Sequence, residues 1–401
     1  MKVAIIGGGV AGVVCAYLLH EVHEVTLFER APQPGGNVRT LGGNVPCAAL
    51  PPGVRVENGT LGFQPSRYPT AMRLLAHLEL ETVQLPARSG VFFPEGGRLC
   101  LPGQDEPAQG LREAYASALT RLTARAAPSS FMGPALPEGA IGPYLPGRYT
   151  RFGGAIRALM LLSYSTPAPL VDELHRERGE WVLRMGSEAW QVLRDGTSSY
   201  LQRALERMGS RLRLLLPMPV EGVRRTASAV EVEHTGGCEA FDRVVFATTP
   251  DQVLGLLRDP TPEERERFGP WRQHRFPTVA HDDPGLYRPW GVAPYSCSDL
   301  FVGPGERLGY NTYLSHQALP GRPFSFGHGI EDLLDPARVL DRHEHVVPRY
   351  EPAAMRQRPA IAAHNGERHT FHAGAYLGDG LQEGAVASAL EVSRRLGGRL
   401  I

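Results

Sequence analysis

Lysine is nearly absent from this 401-residue chain: Lys2 stands alone among 42 lysines and arginines, which balance 42 aspartates and glutamates to a formal net charge of zero. A neutral chain without a dense basic stripe is a poor match for nucleic acid, which is excluded as a partner. Cysteine is sparse too. Cys15, Cys47, Cys100, Cys238 and Cys297 are odd in number and scattered, with no C-x-x-C pair, a pattern that points to reduced thiols and a cytoplasmic setting. No run of eighteen apolar residues occurs; the longest stretch of note, "AIRALMLLSY" (155–164), is too short to cross a bilayer and carries Arg157. A transmembrane segment is therefore not expected, while peripheral contact with a membrane stays open. The first strand pattern begins at residue 3, so no signal peptide is expected ahead of it. Internal repeats and low-complexity tracts are also missing, and the length suits two domains with ample core.

Glycine, by contrast, is plentiful and ordered. "VAIIGGGVAG" (3–12) places Gly7, Gly9 and Gly12 in G-x-G-x-x-G spacing after four apolar residues that read as a strand, and Val10 and Ala11 open the helical stretch that follows. One glycine serves the tight turn, one lets backbone approach a pyrophosphate, and one lets helix pack on strand. The helix start then offers unpaired N–H groups and a positive dipole end to phosphate. "EVTLF" follows as a second strand and ends at Glu29, twenty residues after Gly9. An acid there accepts from a ribose diol and repels a 2'-phosphate, which favours NAD or FAD over NADP.

Further along, "YPTAMRLLAHLEL" has helical periodicity, and "GTSSYLQRALERMGSRLRLLL" reads as a capped helix that stops at Gly209 before a strand. "VEGVRRTASAVEVEH" and "EAFDRVVFATTP" alternate as strands, whereas 259–350 reads as irregular and aromatic-bearing. The last fifty residues return to a strand, a glycine loop and a helix.

A second glycine pair, Gly35 and Gly36, precedes Arg39 in "ERAPQPGGNVRT", with Arg30 just after Glu29. More backbone amides and a guanidinium suit a second polar stretch of cofactor, beyond one NAD pyrophosphate. Here the chain resembles the flavin-containing amine oxidase superfamily, closest to a bacterial branch of NAD/FAD-binding oxidoreductases. "VENGTLGFQPSRYPTAMRLLAHLELETVQLP" is similar to the element whose backbone passes beside the flavin ring, here at Gly59, Thr60 and Leu61. "MPVEGV" resembles the adenine-reading strand, with Val220 at the contact, and "FDRVVFATTPDQVLGLL" resembles the turn that closes the site near Ala247 and Thr248. "HAGAYLGDGLQEGAVASAL" is similar to the carboxy-terminal flavin element, which implies contacts from Gly374, Asp379, Gly380, Leu381 and Gln382. The resemblance implies FAD as cofactor.

The expected fold is α/β: a discontinuous Rossmann-like FAD-binding domain (1–71, 195–258 and 352–401) with an inserted mixed α+β substrate domain (72–194 and 259–351). The expected activity is hydride transfer to flavin N5 from a hydrophobic small molecule or lipid, of the acyl-chain desaturase or isomerase type. Amine oxidation and a non-catalytic flavin-binding role stay open. Amine oxidases of the superfamily hold a water near N5 with a lysine, which this chain cannot supply. His281 is the candidate proton carrier, and Tyr310, Asn311 and Tyr313 are candidate pocket residues. Arg148 and Arg151 read as solvated surface. His343 and His345 make an H-x-H pair without a second ligand group, so no metal is expected.

Overall fold

The structure, a computed structural model, describes residues 1–85, 89–92, 98–101, 189–294, 299–302, 308–350 and 352–401. "AIRALMLLSY", Arg148, Arg151 and Cys297 lie outside the described residues. Two sheets organise the rest. A five-stranded parallel sheet runs in the order Thr370–His372, Arg243–Phe246, Lys2–Ile6, Glu24–Phe28, Leu212–Leu215. Its central strands bury four residues of five, because helices cover a parallel sheet on both faces and both sets of side chains must be apolar. The helix Val10–Leu19 buries nine of its ten residues, wedged between this sheet, the carboxy-terminal helix Gln382–Leu396 and the helix Ser199–Met208. Apolar all round, it has no solvent face to present.

Three chain segments feed this sheet, and the long segment between the strands of the 243–246 and 370–372 region builds most of a second one. That sheet runs in the order Val339–Arg349, Arg272–His281, Ser325–His328, Leu308–Tyr313, Asp299–Val302, Ser89–Phe92, Arg98–Leu101, and all its neighbours are antiparallel save Asp299–Val302 with Ser89–Phe92. The irregular reading of 259–350 is thereby corrected. Arg272–His281 and Val339–Arg349 pair along their whole length, but Arg, His and Pro interrupt the alternation that would announce them. A three-stranded meander, Val220–Arg225, Val230–His234 and Gly237–Phe241, flanks the parallel sheet.

Other local features follow the sequence with small departures. Gly209 does end the helix Ser199–Met208, at φ 51°, but Ser198 caps it with no side-chain bond. The helix Pro262–Phe268 has a full capping box between Thr261 and Glu264. Glu264 also holds the wholly buried guanidinium of Arg225 at 2.5 and 2.8 Å, and Asp259 takes its Nε at 3.1 Å. This buried set ties the meander to the helix; removing one partner from such a set costs about 3–5 kcal/mol.

Candidate functional site

The carboxyl ends of Lys2–Ile6, Glu24–Phe28 and Arg243–Phe246 lie side by side, so the residues just beyond them, Gly7, Glu29 and Ala247, converge on one place. Ligands of open parallel sheets bind at such an edge. A cavity of about 1020 Å³ opens there and extends to the antiparallel sheet, where Tyr310, Thr312, Phe326, His343 and His345 line it.

The glycines divide by role. A Cβ on Gly12 would fall onto the Gly7 carbonyl, so that glycine serves helix-to-strand packing. Gly7 sits at φ 108° with its missing Cβ 2.8 Å from the Ala247 oxygen. Gly9 is different: its nearest neighbour would be the Gly36 Cα at 3.9 Å, and it lines the cavity. Protein packing leaves room for a side chain at Gly9, and the space belongs to the cavity. Gly9 heads the helix Val10–Leu19 without a side-chain cap, so the helix's first amides face this space beside Val10 and Ala11.

Glu29 lines the same end, its carboxylate fixed by the Gly8 amide at 2.6 Å and the Ala31 amide at 2.7 Å. Each oxygen keeps further acceptor capacity. Arg30, Gly36, Arg39, Gly59, Thr60, Leu61, Val220, Ala247, Thr248, Gly374, Gly380, Leu381 and Gln382 line the cavity too. Gly12, Gly35 and Asp379 stand behind its wall. Gly35 donates to the Gly8 carbonyl at 2.8 Å and lies against Asn44. Asp379 accepts from the Leu381 and Gly384 amides, both at 2.8 Å, and so caps the carboxy-terminal helix; burial pushes its carboxyl up from the usual range.

The wall formed by Gly59–Leu61 has its own support. Glu57, buried, accepts from the Thr197 amide at 2.7 Å and the Thr40 hydroxyl at 2.9 Å, while the Thr197 hydroxyl donates to the Leu61 carbonyl at 2.9 Å. Burial pushes the Glu57 carboxyl up to about 8, against the pull of those two donors.

His281 does not reach the cavity. It is 1 % exposed; the Asp283 amide donates to its Nδ1 at 3.2 Å, and its Nε2 donates to Asn311 Oδ1 at 2.9 Å. Asn311 passes the network on to the Tyr287 hydroxyl at 3.0 Å, so both residues hold the second sheet together. Of the tyrosines in that strand, Tyr310 lines the cavity and Tyr313 does not. The histidines that do line it are His343 and His345, their rings edge to face at 4.7 Å. His345 Nε2 donates to Thr278 Oγ1 at 3.0 Å, and Thr278 donates to Asn58 Oδ1 at 2.6 Å. Burial, with His343 and Arg39 nearby, pushes His345 down to about 3. Among the described residues no cluster could hold a metal ion, and no helix is long and apolar enough to cross a membrane.

Residues 5–78 match the model of the NAD(P)-binding Rossmann-like domain. Among solved structures the chain is similar to the CLA-producing fatty acid isomerase from P. acnes, with a TM-score of 0.67, 16% identity and 98% of both chains covered. Cyclohexylamine oxidase from Brevibacterium oxydans gives a TM-score of 0.67, 16% identity and 99% coverage of both chains. Putrescine oxidase bound to putrescine gives 0.65, 14% and 99% of both. The chain shares its fold with this isomerase and these two amine oxidases. No curated protein matches by sequence. In this shared fold the parallel sheet carries the end of the cavity lined by Gly7, Gly9 and Glu29, and the antiparallel sheet carries the other.

The polar atoms of the cavity wall test whether a flavin dinucleotide suits it. Thr248 Oγ1, Gln382 Nε2, Arg39 Nε and the hydroxyls of Tyr350 and Tyr376 are buried, lie on lining residues and have no partner in the protein. Together with the open face of Gly9, they form a cradle that a long ligand with phosphates and hydroxyls would complete. Tyr350 and Tyr376 escaped the sequence reading. Tyr376 lies inside the quoted glycine loop, but its buried, unpartnered hydroxyl arises only from packing.

Proposed function

We propose that the chain is an FAD-dependent oxidoreductase acting on a largely apolar substrate. The observation that carries this reading is the single cavity that joins the open Gly9 face, the Glu29 carboxylate and a set of unpartnered buried polar groups to an apolar and aromatic end. Gly7, Gly9, Gly36 and the helix amides would hold the pyrophosphate, Glu29 the adenosine ribose, Val220 the adenine, and Gly59–Leu61 the ring system. Bound FAD supplies a two-electron acceptor for hydride.

This chain's residues then position a C–H bond and exclude water. Leu61, Val45, Pro46, Tyr310 and Phe326 offer an apolar wall, and each CH₂ buried there stabilises a complex by about 0.8 kcal/mol. His345, neutral at physiological pH because its folded value lies near 3, is a hydrogen-bonding group in that wall.

The charges favour an apolar substrate over an ammonium. Among the described residues the two carboxylates that line the cavity are Glu29, at the dinucleotide end, and Glu344, which is paired with Arg275 at 2.5 Å. A cationic amine would be desolvated without a counter-ion. Amine oxidation is the second reading, favoured by the shared fold with cyclohexylamine and putrescine oxidases, while the fatty acid isomerase shares the fold equally well. Purified protein is tested by its flavin spectrum and by release of FAD on denaturation; protein that binds NAD tightly and ignores FAD refutes the assignment.

A further inference from the structure

Tyr350 and Tyr376 come from different parts of the chain, one at the end of the long strand Val339–Arg349 and one in the glycine loop before the carboxy-terminal helix. They are 5 % and 2 % exposed, and both line the cavity. Trp271 packs against both, edge on, with ring centroids 6.1 Å from Tyr350 and 5.5 Å from Tyr376. That packing fixes the rings, yet neither hydroxyl finds a partner in the protein. A buried hydroxyl left unpaired costs about 1–3 kcal/mol, so two on one wall are a standing cost unless something bound there accepts from them. Gln382 adds to the set: its Oε1 accepts from the Tyr200 hydroxyl at 2.8 Å, while its buried Nε2 has no partner in the protein.

We infer that the Tyr350 and Tyr376 hydroxyls, with Gln382 Nε2, are hydrogen-bond donors to the phosphate and hydroxyl oxygens of the bound dinucleotide. The inference rests on the reading of the cavity as an FAD site. Burial raises both phenols above their ordinary range, which favours the protonated, donating form. The set supplies neutral donors, where arginine or lysine would supply charge. Its contribution to binding is therefore nearly independent of salt, unlike that of a charged clamp.

The test uses Tyr350→Phe and Tyr376→Phe, which keep the rings that pack on Trp271. FAD dissociation constants are measured by quenching of flavin fluorescence, and thermal stability is measured on the apoprotein and the FAD-loaded protein. Each variant is expected to bind FAD about tenfold more weakly, the ordinary worth of one such hydrogen bond. The apoprotein should stay as stable as wild type or gain, because the change removes an unpaired buried group. FAD affinity within twofold of wild type in both variants overturns the inference. So does an equal loss of stability with and without FAD, which marks a purely structural role. Wild-type protein that fails to bind FAD refutes the FAD site itself, and that outcome is distinct from variants that bind as well as wild type.

Discussion

Gly9 and Gly36 lie against each other on the wall of the cavity, and a Cβ built on Gly36 would lie 3.1 Å from the Gly9 Cα. Gly36 also sits at φ 58°, a conformation that L side chains rarely adopt. A Cβ on Gly9 meets nothing closer than 3.9 Å, whereas one on Gly12 collides with the Gly7 carbonyl. The two glycines of one fingerprint should therefore fail differently. Gly9→Ala is expected to fold with stability within about 1 kcal/mol of wild type and to lose FAD affinity by at least tenfold. Gly12→Ala should lower thermal stability even without FAD. Scanning calorimetry of both apoproteins, beside flavin titrations, separates the two effects.

Glu29 contributes by charge and by fixed geometry, with both oxygens already oriented by backbone amides. Glu29→Arg removes the acceptors for the ribose diol and should weaken FAD binding by about 1–3 kcal/mol. Wild-type flavin content in this variant would show that the adenosine does not sit there.

The convergence of Gly7, Gly9 and Glu29 on one end of the cavity was legible in the sequence because glycine spacing, strand length and the position of one acid are local properties. Gly9 and Glu29 needed only their neighbours in the chain to be placed. His281 shows the limit. After a strand pattern it reads as a candidate proton carrier, yet Asn311, thirty residues away, draws it into a buried network across the second sheet, away from the cavity. Asp379 is similar: a carboxylate in a glycine loop suits a ligand, but the amides of Leu381 and Gly384 satisfy it first. His343 and His345 lacked any ligand spacing, and only the pairing of Val339–Arg349 with Arg272–His281 brings His345 against Thr278.

Acid should destabilise the fold through His345 and His372, both buried and both pushed down to about 3 mainly by burial. Their folded values lie below the ordinary 6.5, so the unfolded chain binds more protons between about pH 3 and 6.5. Stability then falls as pH falls through that window, by about 1.4 kcal/mol per pH unit for each histidine. Urea melts at pH 6.5, 5 and 4 check this, and His372→Phe should flatten the profile. An unchanged slope in that variant would contradict the assignment.

Glu57 has the opposite sign. Its folded value, near 8, lies above the ordinary 4.5, so the native state binds the extra proton and stability declines as pH rises from about 4.5 to 8. Glu57→Gln should remove that decline and keep the Thr197 and Thr40 partners. Glu57→Ala should loosen the wall at Gly59–Leu61 and cost about 1–3 kcal/mol at neutral pH. Stability of the two variants measured at pH 6 and pH 8 is the check.

The central claim is redox chemistry on an apolar substrate in a flavin-bearing cavity, and anaerobic stopped-flow mixing of the FAD-loaded protein tests it most directly. Fatty acids, acyl lipids, and primary and polyamines are each mixed with the oxidised protein while flavin absorbance is followed. The account predicts that at least one acyl substrate perturbs or bleaches the flavin within its turnover time, and that amines leave it unchanged. Rapid bleaching by an amine with every lipid inert would contradict the account.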